Sequence, residues 1–296
     1  MAEIQLFSIK GEVKEVVGHS VTFEKELQHL IEENMEQFFG VTFLKSEYVI
    51  TEGRMDSIGL DENNSPVIFE YKRSVNENVI NQGLFYLDWL LDHKADFQLL
   101  VLEKLGKEKA NNIDWSIPSV VCIANDFTKY DEHAVNQMQR SIKLVKYKKY
   151  EDFILFEHVN APKAKSIVYD EVRKNTHNVH KDLQEMYEDV DEKIRLLYET
   201  IKDYIMSLGD DVTENELKRY VAFKKIRNFV CMDIGQSRIR VHLKLDPNTV
   251  ELEEGFIKDV SGLGHLGTGD VQIHVKNMED FNKIKYLIDR SYQENV

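Results

Sequence analysis

Three residues in one short stretch have side chains that can act together: Asp56, Glu70 and Lys72, within GRMDSIGLDENNSPVIFEYKRS (residues 53–74). An apolar segment ends in Arg54-Met55-Asp56, a polar turn follows from Asp61 to Pro66, and Val67 to Lys72 leaves it as a second segment. Two strands joined by a turn is the expectation. Side chains alternate along a strand, so Ile68, Glu70 and Lys72 share one face. If the strands are antiparallel neighbours, Asp56 comes level with Glu70. Two carboxylates and an ammonium then meet at one point. Hydrolysis of a phosphodiester requires a nucleophilic water and relief of the charge growing on the phosphoryl oxygens. Mg²⁺ or Mn²⁺ held by Asp56 and Glu70 would supply both, and Lys72 would orient the water or offset the oxyanion. The same pattern also describes an ordinary half-exposed strand with its charges in water.

Asp, a spacer and then Glu-x-Lys resembles the signature of the PD-(D/E)XK, or restriction-endonuclease-like, nuclease superfamily. The wider match, Gly53-Arg54-x-Asp56 followed by Phe69-Glu70-Tyr71-Lys72-Arg73, is most similar to the NucS-type and related uncharacterised branches. Met55 stands where the name-giving proline would be. Two more stretches fit the resemblance. Glu24-Lys25-Glu26-Leu27 matches a first-helix glutamate, implying Glu24, or else Glu26, as a further carboxylate at the site. Gln82-Gly83-Leu84-Phe85-Tyr86 matches a Gln-x-x-x-Tyr pair on the helix after the Glu-x-Lys strand, implying that Gln82 orients the phosphate or a water. Read without the resemblance, Glu24 is a solvated helix charge and Gln82 a polar residue beside an aromatic core. Arg54, Arg73 and Tyr86 are the nucleic-acid contacts expected beside this centre, with Arg54 either holding a phosphate or bracing a carboxylate.

The chain has 296 residues, 42% hydrophobic and 30% charged, with a net charge of -14 and a pI near 5.2. Such an acidic balance excludes a protein that coats nucleic acid generally, yet permits a local basic strip. Arg140 to Tyr150 (RSIKLVKYKKY) is the clearest one. Lys143, Lys146 and Lys148 there would grip phosphates while the tyrosines stack on bases, or the lysines simply protect an edge strand. The two cysteines, Cys122 and Cys231, lie far apart, as suits a reducing cytoplasm. No apolar run approaches the roughly 18 residues of a membrane span, and no secretory leader is evident.

The elements expected around the site are an amphipathic helix over residues 21–39, a strand over 41–50, the two strands above, and a helix over 76–93. Strands at 97–103 and 119–124, near-continuous apolar runs, are separated by a short helix at 104–111. A helix at 127–138 and strands at 141–147 and 152–159 close the unit. The order αβββαβ(α)βα is that of a restriction-endonuclease-like mixed sheet flanked by helices, and the resemblance covers about residues 15–160. Apolar periodicity fails between residues 159 and 179, which reads as a linker, giving a nuclease-like domain over 1–165 and a smaller α+β domain over 166–296. His177-Asn178-Val179-His180 has H-x-x-H spacing but no neighbouring ligands to complete a zinc shell.

In the second half a long helix is expected over residues 183–208, a short capped helix over 213–218, strands at 222–232, 238–244 and 271–275, and a last helix over 278–293. This half resembles an uncharacterised domain found behind such nuclease modules and in proteins labelled as predicted transport proteins, although no membrane segment supports transport. Lys218, Arg219, Lys224, Lys225, Arg227, Arg238 and Arg240 form a second basic set, which either faces nucleic acid or balances the acidic helix. Gly262-Leu263-Gly264-His265-Leu266-Gly267 satisfies G-x-G-x-x-G but leads into a strand rather than a helix, so a hairpin-type loop is expected. The expectation as a whole is a metal-dependent nuclease acting on DNA rather than RNA, in repair or defence, and a homodimer where both strands of a duplex are to be cut. The alternatives are a non-catalytic nucleic-acid-binding subunit that keeps the nuclease fold, and an interaction scaffold.

Overall fold

The computed structural model describes residues 4–11, 13–20, 24–72, 79–159 and 182–295. The N-terminal unit begins with a small hairpin, β1 (Leu6–Ser8) and β2 (Lys14–Val16), followed by helices α1 (Glu24–Glu33) and α2 (Met35–Phe39). Strands β3 (Val41–Ile50), β4 (Gly53–Asp61) and β5 (Pro66–Lys72) follow, then helices α3 (Val79–Asp92), α4 (Lys94–Leu105) and α5 (Lys107–Asn111). Strand β6 (Ser119–Ala124), helix α6 (Lys129–Gln137) and strands β7 (Ser141–Tyr150) and β8 (Phe153–His158) complete it.

The sheet has the order β3-β4-β5-β6-β7-β8. Neighbours are antiparallel at both edges, while β5, β6 and β7 run parallel in the centre. All six residues of β6 are buried, as expected of a strand covered on both faces. Leu27, Ile31, Met35 and Phe39 of α1 and α2 close one face over Val67, Phe69, Tyr71 and Val121. Leu87, Leu90, Phe97 and Val101 of α3 and α4 close the other over Ile68, Val120 and Ile142. A Cβ at Gly83 would stand 2.6 Å from Val120 Cγ1, so only glycine lets α3 lie this close to β6.

The C-terminal unit holds α7 (Leu183–Asp189), α8 (Glu192–Met206), β9 (Thr213–Glu216), β10 (Val221–Lys224), β11 (Asn228–Gly235), β12 (Arg238–Leu243), β13 (Ile257–Asp259), β14 (Val271–Val275) and α9 (Met278–Glu294). Its sheet is antiparallel throughout, in the order β13-β14-β12-β11-β10-β9. Ile194, Ile201, Phe281, Ile284 and Ile288 pack the helices on one face of it.

Several expectations need correction. Residues 97–103 are helical, in α4. Phe97, Leu100 and Val101 are buried while Leu99 and Leu102 are exposed, the i, i+3, i+4 spacing of a helix, and the apolar run hid that period. The helix expected over 21–39 is broken at Asn34, its residues 21–23 lying outside the described set. The one expected over 183–208 is two helices, because Val190 is extended and the Asp191 carboxylate accepts the Ile194 N–H as a new N-cap. Residues 213–216 form an edge strand rather than a capped helix, and residues 221–235 form a hairpin, not one strand. The linker, the 165/166 boundary, His177 and His180 all lie outside the described residues, as do residues 76–78 of the helix expected over 76–93.

The two units touch through the β4–β5 turn. Asn228 Nδ2 donates to Asn63 Oδ1 at 2.5 Å, Tyr220 Oη donates to the same oxygen at 3.1 Å, and the Asn228 N–H donates to the Glu62 carboxylate. Arg227 Nη2 also donates to the Glu36 carbonyl at 2.7 Å.

Candidate active site

The β4–β5 ladder pairs Leu60 with Pro66 and continues to Ser57 opposite Phe69. One step further the side chains take the place of the backbone. The Asp56 N–H donates to Glu70 Oε1 at 3.2 Å, and the Tyr71 N–H donates to Asp56 Oδ2 at 3.0 Å. The two carboxylates thus clasp the open end of the hairpin, each held by the opposite strand. Glu70 is 0% exposed, and its second oxygen, Oε2, is buried without a hydrogen-bond partner.

Burial, and then the neighbouring Asp56 carboxylate, push the Glu70 carboxyl up to about 9. Asp56 is also raised, chiefly by burial, against the lowering effect of the Tyr71 N–H and Lys72. Two ionised carboxylates cannot remain this close in a dry site. Either a proton or a cation must relieve them. The unpartnered Oε2 lone pairs, the mutual repulsion and the hard oxygen donors fit a divalent cation such as Mg²⁺, which retains several waters and needs only one or two carboxylates. Asp56 and Glu70 are the carboxylates that would hold it, and among the described residues no group of three or more His, Cys, Asp or Glu side chains is arranged to hold a metal.

Lys72 emerges at the end of β5, and its Nζ lies 3.8 Å from Glu24 Oε1 at the start of α1. Helix α1 also contributes residues that the sequence reading passed over. Buried Gln28 donates from Nε2 to the Asp56 carbonyl at 2.9 Å and to Glu32 Oε1 at 2.9 Å, and Ser57 Oγ donates to the same Glu32 oxygen at 2.5 Å. These bonds fix the backbone beneath Asp56. Glu24, Gln28 and Glu32 follow an i, i+4, i+8 spacing, a polar stripe along one side of a helix whose Leu27 and Ile31 are core. That stripe was the available signal.

On the opposite side, the Tyr86 hydroxyl accepts from Gln82 Nε2 at 3.1 Å and from the Arg54 N–H at 3.2 Å. A Cβ at Gly53 would stand 2.9 Å from the Tyr86 ring, so the glycine admits this contact. Gln82 is therefore tied through Tyr86 to the start of β4, at the Arg54 backbone. Tyr86 is 5% exposed and cannot stack on a base, whereas its neighbour Phe85 is exposed. The Arg54 guanidinium pairs with Glu47.

The basic stripe does not form as a continuous surface. Lys143 is largely buried and faces the C-terminal unit, where burial and Lys224 push its ammonium down to about 7. Lys146 is buried and pairs with Asp126 at 2.8 Å. Lys148 alone of the three is exposed. Arg73 lies outside the described residues. Lys72, Ala124 and Lys146 are in register across β5, β6 and β7, and a cleft of about 370 Å³ opens by Lys146 between Asp126, Lys148, Glu157 and Glu15.

Residues 183–295 match the family described as "Domain of unknown function (DUF5655)". Over 300 aligned residues the chain is 30% identical to an uncharacterised protein of Haemophilus influenzae, covering 97% of this chain and 98% of the relative. Among solved structures it matches an EndoMS complex with double-stranded DNA at 19% identity and a TM-score of 0.29, over 43% of this chain and 47% of that one. A repair endonuclease from Pyrococcus abyssi matches at 19% identity and a TM-score of 0.29, over 45% and 51%. Pyrococcus furiosus SfsA in complex with Ca²⁺ matches at 14% identity and a TM-score of 0.26, over 52% and 74%. The chain thus spans about half the length of the two endonuclease structures.

Proposed function

The chain belongs to the same family as the uncharacterised Haemophilus influenzae protein, and for this family member we propose a metal-dependent phosphodiesterase, a nuclease acting on DNA, centred on Asp56, Glu70 and Lys72. The observation that carries the reading is the clasped carboxylate pair, whose buried Glu70 Oε2 has no protein partner. A site of this kind is poorly matched to a purely structural role, because an unpaired buried carboxylate destabilises the fold. Mg²⁺ or Mn²⁺ would be held by Asp56 and Glu70 and would supply charge neutralisation and an acidified water. Lys72, held near Glu24, presents a compact positive charge to the phosphoryl oxygens. Gln28 and Glu32 keep the Asp56 backbone in place, and Gln82 acts through Tyr86 on the β4 backbone. DNA as substrate rests on the resemblance of the Asp-(spacer)-Glu-x-Lys stretch to DNA-cutting nucleases.

The test is cleavage of duplex, single-stranded, flapped and mismatched DNA, and of RNA, with Mg²⁺ or Mn²⁺, comparing the native protein with Lys72→Ala. Cleavage of a DNA substrate that falls by at least about 100-fold in a folded variant supports the assignment. Equal cleavage by both proteins refutes it. Binding of DNA with no cleavage by the native protein in either metal would instead favour the non-catalytic subunit.

A further inference from the structure

Strand β6 ends at Ala124, opposite Lys146, while its neighbour β7 runs on to Tyr150. The edge of β7 left free past β6 is taken up by the chain ahead of α1. The His19 N–H donates to the Lys149 carbonyl at 2.8 Å, and the Lys149 N–H donates to the His19 carbonyl at 2.9 Å. Gly18 then lies against the Tyr150 ring, where a Cβ would stand 2.7 Å from Cε1, so only glycine allows the approach. Between the end of β6 and this added segment the sheet has a notch. The cleft of about 370 Å³ occupies it, a size within the range that holds small ligands.

The lining is of two kinds. Val16, Val17 and Leu155 are apolar, whereas Glu15, Asp126 and Glu157 bring carboxylates and Lys146 and Lys148 bring ammonium groups. Lys146 is 7% exposed and already neutralised, its Nζ 2.8 Å from Asp126 Oδ1 and 3.8 Å from Glu132 Oε1. Acids thus outnumber bases around the cleft, and a phosphate entering it would be repelled. Two groups keep hydrogen-bonding capacity in hand. Lys146 and the Phe127 N–H both bond Asp126 Oδ1, which leaves Oδ2 as an acceptor. The partly exposed Asn125 side chain makes no hydrogen bond among the described residues, and its amide offers donors and an acceptor in one plane.

The cleft stands beside the candidate active site. Lys72, Ala124 and Lys146 are in register across the parallel strands β5, β6 and β7, so Lys72 and Lys146 are two strand spacings, about 10 Å, apart at Cα. These are the carboxyl ends of parallel strands, outside which open α/β sheets bind their ligands. A nucleic-acid strand whose phosphate sits at Asp56, Glu70 and Lys72 therefore brings the adjoining nucleotide within reach of the cleft. A concave site takes a base only when that base has left the duplex stack. Apolar walls suit the faces of a planar ring. An ionised carboxylate only accepts, so it selects an edge that donates, as the exocyclic amine of cytosine or adenine does and the carbonyl edge of thymine does not.

We propose that this cleft holds an unpaired, amine-bearing base beside the phosphate being cut, with Asp126 and Asn125 reading its edge. The proposal rests on the nuclease reading of Asp56, Glu70 and Lys72, which supplies the place of the base in the strand. It makes the preferred substrate DNA with an unpaired segment rather than an intact duplex.

The experiment has two arms on the full chain, for the native protein, Asn125→Ala and Asp126→Asn. Fluorescence anisotropy in EDTA measures affinity for short single strands of deoxycytidine, of thymidine and of abasic sites. Cleavage with Mg²⁺ or Mn²⁺ measures the rate on single strands and duplexes that carry cytosine, thymine or no base beside the cut. The native protein should prefer cytosine to thymine by at least about ten-fold, the discrimination of one good base-edge contact. Asn125→Ala should lose that preference at unchanged melting temperature. Asp126→Asn keeps an oxygen for Lys146 but turns the free acceptor into a donor, and should shift the preference toward thymine. Equal affinity for all three strands, a cytosine preference that both variants keep, or cleavage confined to intact duplex would overturn the proposal. Cleavage at one rate whatever the base would overturn it too, while the nuclease reading stood. A cytosine preference in EDTA that both variants abolish, without cleavage in either metal, would keep the base site and sink the nuclease reading.

Discussion

Replacing Glu70 by glutamine should stabilise the metal-free protein, and the gain should grow with pH. In the folded chain burial and Asp56 push the Glu70 carboxyl up to about 9, whereas its reference value is 4.5. Between those values the folded protein keeps a proton that the unfolded chain has lost. Stability from this group is therefore complete below about pH 4.5 and declines as pH rises toward 9, at about 1.4 kcal/mol per pH unit. At pH 7 the separation from 4.5 corresponds to roughly 3 kcal/mol, which Glu70→Gln would recover. The amide is nearly isosteric, and its Oε1 can still accept the Asp56 N–H. At roughly 2–4 °C per kcal/mol the melting temperature should rise by about 6–12 °C at pH 7, and by almost nothing near pH 4.5. The assay is thermal unfolding in EDTA from pH 5 to 9, followed by circular dichroism. Added Mg²⁺ should reverse the ranking, stabilising the native protein but not the variant, because the cation replaces the proton. A melting difference that stays constant across the pH range would refute the argument, since Glu70 would then carry no buried proton.

At pH 7 Mg²⁺ binding should release about one proton, because Glu70 keeps its proton in the metal-free protein and the cation displaces it; calorimetry in two buffers of different ionisation enthalpy measures this. Tyr86→Phe removes the acceptor for both Gln82 and the Arg54 N–H and should cost about 1–2 kcal/mol in urea unfolding, with DNA affinity unchanged because the ring is buried. Asn228→Ala leaves Asn63 short of a partner at the contact between the units and should cost about 1–3 kcal/mol, read from the same unfolding curves.

The carboxylate pair was legible because it depends on two short-range rules, alternation along a strand and antiparallel pairing across a tight turn. Both hold here: Ser57 faces Phe69, and one step on the Asp56 N–H donates to Glu70 Oε1 while the Tyr71 N–H donates to Asp56 Oδ2. The α4 helix was misread because its run of apolar residues looks the same to periodicity as a buried strand until the exposure of Leu99 and Leu102 is known. Lys143 and Lys146 were misread for a different reason. Their partners, Lys224 and Asp126, are distant in sequence, and only tertiary contact shows that one lysine is desolvated and the other already neutralised. Gln28 was passed over because glutamine in a helix is ordinary. Its meaning comes from burial against the Asp56 carbonyl, a contact 28 residues apart in sequence.

The β4–β5 hairpin links these observations mechanically. At its open end Asp56 and Glu70 clasp each other's strands, and at its turn Glu62 and Asn63 are gripped by Asn228 and Tyr220 of the C-terminal unit. Between the two ends lie only the paired residues from Ser57–Phe69 to Leu60–Pro66, all of them buried. Packed strands transmit displacement rather than absorb it, because close-packed interiors have few voids in which to relax. The C-terminal unit thus holds the element that carries the carboxylates, from the end opposite to them. Thr268 of the loop over residues 262–269 joins the same grip, because its Oγ1 accepts from Asn228 Nδ2 at 3.1 Å.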